Sequence, residues 1–349
     1  MKPLLLLRAD ATSACGTGHV MRCLALAQAW RDAGGEAVFV GVVESPALVA
    51  RLRQEGMGFV PLPRPSLLAQ DFLPLLAGFE ARVSSPARAW MALDGYFFTP
   101  ECHAAIRAAR WKLLVFDDMN HLREYHADVL LNQNVGAKEL AYAAPPETTR
   151  LLGPRYALLR REFLAAGRER KPAGEAVRRV LITMGGSDPD NASLCAVRAV
   201  KDAFPDGVET TVLLGALYRH EESLRRALAG WPGKADLPRF VEDMPAVMAW
   251  SDVAIAAAGS TCWELLYMGV PPLLLVLADN QENVARALAA RKAAISVGRR
   301  DRCTVDRLRE ALSSLRDKGT REELARRGRE FVDGAGADRV VSFLLSGAK

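Results

Sequence analysis

No stretch of the 349-residue chain is apolar enough to cross a membrane. A span needs about 18 uninterrupted apolar residues, and even Val270 to Ala278 carries two prolines and stops at Asp279. Stable membrane insertion is not expected. The opening apolar stretch, Met1 to Leu7, gives way to Arg8 and Asp10 before it can form a signal-peptide core of roughly 7–15 residues, so it reads as a first strand. The six cysteines (15, 23, 102, 195, 262 and 303) make no CxxC pair and have no histidine at zinc spacing. They read as free thiols in a reducing cytoplasm, and no metal or other cofactor is expected. Long basic runs interleaved with aromatics are absent. The 46 basic and 41 acidic residues are interspersed, and the net charge of +5 suits an anionic small molecule rather than a nucleic acid. Internal repeats and low-complexity tracts are lacking too.

What remains is a chain too long for one hydrophobic core, so two domains are expected. Half of the residues are apolar and a quarter charged, which excludes general disorder. Short β-type runs at Leu4–Leu7, Ala37–Val40, Trp90–Leu93 and Leu113–Phe116 alternate with Ala/Leu-rich helical stretches such as Leu24–Ala33. The alternation restarts at Val180–Thr183, Thr210–Leu214, Val253–Ala256 and Pro272–Val276. This is an α/β pattern. A basic, Gly- and Pro-containing segment at 165–179 reads as the linker, giving domains at 1–164 and 180–349. The stretch from Glu322 to Leu345 is helical in period, and the last helix is expected to pack back on the first domain.

The first strand runs into Gly16-Thr17-Gly18 and a helix beginning near His19. Glycines let the backbone approach a ligand, and a helix N-terminus supplies unpaired N–H groups and partial positive charge. Gly16 and Gly18 are candidate ligand-binding residues, although the same turn also serves plain tight packing. The turn is not the dinucleotide fingerprint, since Met21 holds the third glycine position, nor a Walker loop, since GK[ST] is missing. His19 sits where open α/β folds bind ligands, and neutral imidazole can take a proton near pH 7. The other histidines (103, 121, 126 and 220) read as capping or solvent-facing.

In the second half, Met184 ends a strand and Gly185, Gly186 and Ser187 follow. Asp188-Pro189 reads as a helix cap with proline at the first helical position. Asp188 and Asp190 imitate an acidic DxD metal motif, but capping accounts for Asp188. Farther on, Gly259, Ser260 and Thr261 form a small-residue turn suited to phosphate oxygens, and Glu264 can accept hydrogen bonds from ribose hydroxyls. A capping box from Thr261 to Glu264 is the competing reading.

Taken together, GTGHVMRC (16–23), LDGY (93–96), VFDD (115–118), LLNQN (130–134), GPRYALLRREF (153–163), MGGSDPDN (184–191), AAGSTCWE (257–264) and ADNQ (278–281) resemble the UDP-sugar hydrolases of pseudaminic acid biosynthesis. Those enzymes act on UDP-2,4-diacetamido-2,4,6-trideoxy-β-L-altropyranose and are similar in fold to MurG-type glycosyltransferases. The resemblance implies an α/β GT-B fold, two Rossmann-like domains facing each other across a cleft. It implies a hydrolase releasing UDP from its sugar, with water as acceptor and His19 as the catalytic residue. Tyr96, Asp94, Asn280 and Gln281 would meet the sugar, although a strand-end cap is an equal reading of Asp94. Gly185, Gly186 and Ser187 would line the pocket beside the diphosphate, with Gly259, Ser260 and Thr261 at the phosphates and Glu264 at the ribose.

A good leaving group needs no acid, so Asp117 and Asp118 read as turn or cleft residues rather than a glycosidase pair. Phe97, Phe98, Met119 and His121 depart from the resemblance and bear on which sugar is bound. The rival readings are a GT-B glycosyltransferase with a UDP-sugar donor, for which the apolar stretch Leu67–Phe79 would be a membrane-facing patch, and a non-catalytic nucleotide-sugar binding protein.

Overall fold

The computed structural model describes residues 2–64, 69–80, 89–167, 173–239 and 241–346. Part of the apolar stretch Leu67–Phe79 and the middle of the linker, 168–172, lie outside them. The chain divides into two units, Met1–Arg161 with Gly334–Lys349, and Glu162–Asp333.

The first unit is built on a parallel sheet of β1 (Leu4–Ala9), β2 (Glu36–Gly41), β3 (Gly58–Pro61), β4 (Ala89–Asp94), β5 (Lys112–Phe116), β6 (Val129–Asn132) and β7 (Thr149–Leu152), in the order β3-β2-β1-β4-β5-β6-β7. Every residue of β1 is buried, as expected of a central parallel strand covered on both faces. Its side chains alternate between two cores. Leu5 and Leu7 join Leu24 and Trp30 of the helix Gly18–Asp32, and Leu4 and Leu6 join Met91 and Leu113 on the other face. Each such leucine contributes about 1.5–3 kcal/mol of transfer free energy, so the strand that carries the first candidate turn is firmly held.

The chain's last helix, Gly336–Ser346, belongs to this first unit. Ala337, Val340, Val341 and Leu344 form one apolar stripe and enter the core of the helix Gly18–Asp32. The indole N–H of Trp90 donates to the Leu344 carbonyl at 3.1 Å, and a Cβ at Gly336 would run into the backbone of Ala157.

The second unit repeats the plan with β8 (Arg179–Thr183), β9 (Glu209–Leu213), β10 (Ala235–Asp236), β11 (Val253–Ala257), β12 (Pro272–Val276) and β13 (Ile295–Arg299), parallel in the order β10-β9-β8-β11-β12-β13. In each unit the strand order reverses beside the first strand, between β1 and β4 and between β8 and β11. Open α/β sheets bind ligands outside the carboxyl ends of the strands at such a switch point.

The strands β3, β6, β7, β10 and β13 were not among those expected from sequence. Four of them lie at or next to a sheet edge, where apolar runs are shorter. β3 is half-exposed and ends in proline, and β13 contains Gly298 at φ +82° beside a register shift. One helix start also differs from expectation. The helix after β8 begins at Ala192 rather than at Pro189. Asp188, at φ +42°, still caps it, accepting from the backbone N–H of Ala192 (2.7 Å) and Ser193 (2.9 Å).

Candidate active site

At the carboxyl ends of β1, β4, β5 and β6 a chain of ionised and hydrogen-bonding side chains has formed. Ala9 and Asp94 are register partners, as are Asp94 and Phe116, so the turns after these strands emerge side by side. Gly16, at φ +70°, supplies the left-handed residue of the turn after β1. Gly18 opens the helix, whose N-cap Thr17 makes no side-chain capping bond. His19 follows, one residue into the helix.

The Nδ1 of His19 lies 2.6 Å from Oδ1 of Asp94. Asp94 is fully buried, and Arg22 donates to both of its oxygens, Nε to Oδ2 at 2.5 Å and Nη2 to Oδ1 at 2.6 Å. Arg22 then reaches Asp118 through Nη1, at 3.0 and 2.8 Å. Asp118 also accepts from the Tyr96 hydroxyl (2.6 Å) and from Asn134 Nδ2 (2.8 Å). The Tyr96 ring stands edge-on to His19, centroids 5.2 Å apart.

Burial alone would push the Asp94 carboxyl up, but the charges and hydrogen bonds of Arg22 and His19 hold it well below the usual carboxylate range. Burial and the neighbouring Asp118 push the Tyr96 phenol well above its usual value, keeping it a neutral donor. With Nδ1–H donated to Asp94, Nε2 of His19 is the nitrogen able to take a proton. His19 is 13% exposed, so a ligand can reach it. This is the orienting arrangement of a carboxylate-backed histidine base.

Asp94 was read from sequence as a sugar contact or a strand-end cap. It is neither in this arrangement, because both oxygens are taken by His19 and Arg22 inside the protein. Its work is to hold the imidazole. Arg22, Asp118 and Asn134 were not singled out from sequence as members of a site. The spacing of His19 and Arg22, three residues apart on one helix face, was the available signal. Their carboxylate partners are far away in sequence.

Beside this chain lies a second one. His121 Nδ1 is 2.8 Å from Asp117 Oδ2, and Asp117 accepts as well from the Tyr125 hydroxyl and from the backbone N–H of Met119 (2.8 Å) and Asn120 (2.6 Å). Burial pushes the Asp117 carboxyl up, and the bonds from His121, Tyr125 and Met119 more than reverse it. Asp117 in turn raises His121 above the ordinary histidine value.

In the second unit the candidate residues meet at the ends of the adjacent strands β8, β11 and β12. Gly185 follows β8 in the left-handed region, φ +83°, with open space where a side chain would stand. Gly186 and Ser187 are half-buried beside it. Gly259 and Ser260 precede the helix Thr261–Met268, whose N-cap Ser260 makes no side-chain capping bond. The Thr261–Glu264 box is therefore not what starts this helix. Gln281 bonds through Oε1 to the Leu277 N–H (2.9 Å), while its Nε2 lies beside Gly259. Asn280 precedes it in a short helical turn, Asp279–Gln281. Among the described residues no three His, Cys, Asp or Glu side chains are grouped to hold a metal ion, and no helix is long and apolar enough to cross a membrane.

Two parallel-sheet units with uncapped helix starts at their switch points can now be set beside known proteins. Across 99% of both chains the structure matches MurG of Acinetobacter baumannii, with a TM-score of 0.64 and 16% identity. The fold is GT-B. Residues 180–337 match the model of the glycosyltransferase family 28 C-terminal domain. The GT-B chain is 28% identical over 236 residues to the spore coat polysaccharide biosynthesis protein SpsG of Bacillus subtilis, covering 67% of this chain and 69% of that one. It is 25% identical over 292 residues to the UDP-2,4-diacetamido-2,4,6-trideoxy-β-L-altropyranose hydrolase of Campylobacter jejuni, covering 82% of this chain and 96% of that one.

Proposed function

We propose that this GT-B protein is a UDP-sugar hydrolase acting on a UDP-2,4-diacetamido-2,4,6-trideoxyhexose. The observation that carries the reading is the His19–Asp94–Arg22 chain. Asp94 fixes the imidazole and leaves Nε2 as acceptor, so His19 takes a proton from water as water attacks the anomeric carbon. Arg22 keeps Asp94 ionised and oriented. Tyr96, anchored through Asp118, presents its ring beside the base and shapes the sugar side of the pocket.

The second unit binds the leaving group. Backbone N–H groups of the turns at Gly185–Ser187 and Gly259–Thr261 receive the diphosphate, and Glu264 accepts from the ribose hydroxyls. A nucleoside diphosphate leaves as an anion stabilised by such donors, so the mechanism needs neither a second carboxylic acid nor a metal. Asn280 and Gln281 complete the sugar contacts. The Campylobacter relative, matched over nearly its whole length, supports the same reaction class.

A second reading, transfer of the sugar to an acceptor hydroxyl, is favoured by the family 28 domain and the MurG likeness. The test is incubation of the purified protein with a panel of UDP-2,4-diacetamido sugars and no acceptor, followed at the anomeric protons by NMR. Release of UDP and free sugar in stoichiometric amounts is expected. Turnover that appears only when an acceptor is added would replace the hydrolase reading by the transferase one.

A further inference from the structure

His121 has no part in the mechanism above, yet it touches two of its supports. One ring nitrogen faces Asp117 Oδ2 at 2.8 Å, and the imidazole also bonds to the backbone carbonyl of Tyr96. The Tyr96 ring stands perpendicular to it, centroids 5.7 Å apart, while meeting His19 at 5.2 Å. Tyr96 thus lies between two imidazoles.

Both partners of His121 are acceptors. An imidazole can donate to a carboxylate and a carbonyl at once only when it carries both N–H groups, that is, when it is protonated. The neutral ring has one donor and must turn a lone pair on one of the two. Asp117 cannot compensate, because its oxygens already accept from Tyr125 and from the backbone of Met119 and Asn120.

We propose that His121, as an imidazolium, is a positioning residue that ties the Tyr96 backbone to the Asp117 turn and thereby holds the Tyr96 ring against His19. The hydroxyl end of Tyr96 is anchored by Asp118, and His121 anchors the backbone end. The groups facing His121 agree with a charged ring. Asp117 and Asp118 are anionic neighbours that raise it, Tyr96 and Tyr125 are neutral phenols, and His103 is kept neutral, held down to about 4 by burial and by the charges of His126 and His121. Loss of the His121 proton at higher pH releases Tyr96 and lowers turnover without touching the nucleotide.

The turnover half of this inference rests on the hydrolase reading; the tie itself does not. Two measurements keep them apart. In the wild-type protein, NMR titration of the His121 imidazole and the Tyr96 ring protons should give one shared midpoint, above the ordinary histidine value. A Tyr96 ring that ignores the His121 titration, or a His121 that titrates at or below the ordinary value, overturns the proposal whether or not the protein releases UDP. In the pH profile of kcat/KM, His121→Asn should remove the alkaline limb and lower kcat by about tenfold, the cost of one charge-assisted hydrogen bond, with UDP affinity unchanged. Asp117→Asn should move that limb toward lower pH. An alkaline limb identical in all three proteins overturns the proposal. A wild type that releases no UDP, with the NMR midpoint shared, overturns only the hydrolase reading.

Discussion

The same plan is built twice in this chain, and the two copies differ at their strand ends. In the first unit the turns carry Asp94, Asp117 and Asp118, and these are wired by short hydrogen bonds to His19, Arg22, Tyr96 and His121. In the second unit the equivalent turns carry glycine, serine and threonine, and what they offer is backbone. One edge is arranged for proton transfer and the other for holding an anion. A parallel sheet supplies the position, and the residues placed after its strands decide the chemistry. Damage to the first edge should therefore appear in turnover, and damage to the second in affinity.

The largest break of that comparison is His19→Ala. It should lower kcat by about 10²–10⁴-fold, the usual worth of a general base, while the dissociation constant for UDP, read by calorimetry, stays within about twofold of wild type. Next comes Asp94→Asn. It leaves Arg22 buried with one carboxylate fewer, and breaking such a pair costs about 3–5 kcal/mol, which a denaturant melt at pH 7 measures. The sign with pH follows from the lowered Asp94 carboxyl. The native state holds it ionised below the unfolded value of about 3.9, so the contribution is present above that pH and lost as pH falls through it. Wild type should lose stability there, and the variant less.

On the second edge, Glu264→Ala should weaken UDP binding by about tenfold, the worth of a hydrogen bond to a charged acceptor, with kcat little changed. Gly185→Ala meets no neighbour but forces a left-handed alanine, costing about 1–2 kcal/mol by thermal melt. The smallest effect is expected at His103, whose two buried ring nitrogens have no partner. Its ionisation is lowered to about 4 against about 6.5 in the unfolded chain, so its neutral form stabilises the fold above pH 6.5 and that stability is lost as pH falls toward 4. His103→Leu should be close to neutral at pH 7.5 and should remove this acid slope in urea melts.

The parts of this molecule that sequence makes visible are those with local causes. β1 and β4 announce themselves as unbroken apolar runs, and Gly16, Gly18, Gly185 and Gly259 mark turns because only glycine or a small residue suits them. His19 stands out because it follows such a turn. Arg22 does not, since nothing local distinguishes a buried arginine bridging two aspartates from one on a solvated helix face. Its partners lie 72 and 96 residues away. Asp94, Asp117 and Asp118 look alike as strand-end aspartates, and only the fold shows that one orients His19, one holds His121 and one anchors Tyr96. The weak edge strands β3, β10 and β13 escape for a different reason: too few of their residues are buried on both faces to leave a pattern.

The central claim is that His19, held by Asp94, directs water to the anomeric carbon. Turnover in ¹⁸O-water tests it most directly, with products analysed by mass spectrometry for wild type and His19→Ala. The label should enter C1 of the released sugar and not the UDP, and the variant should form that labelled sugar at a rate lowered in proportion to its kcat. Label in the β-phosphate, or undiminished labelling of the sugar by the variant, would contradict it.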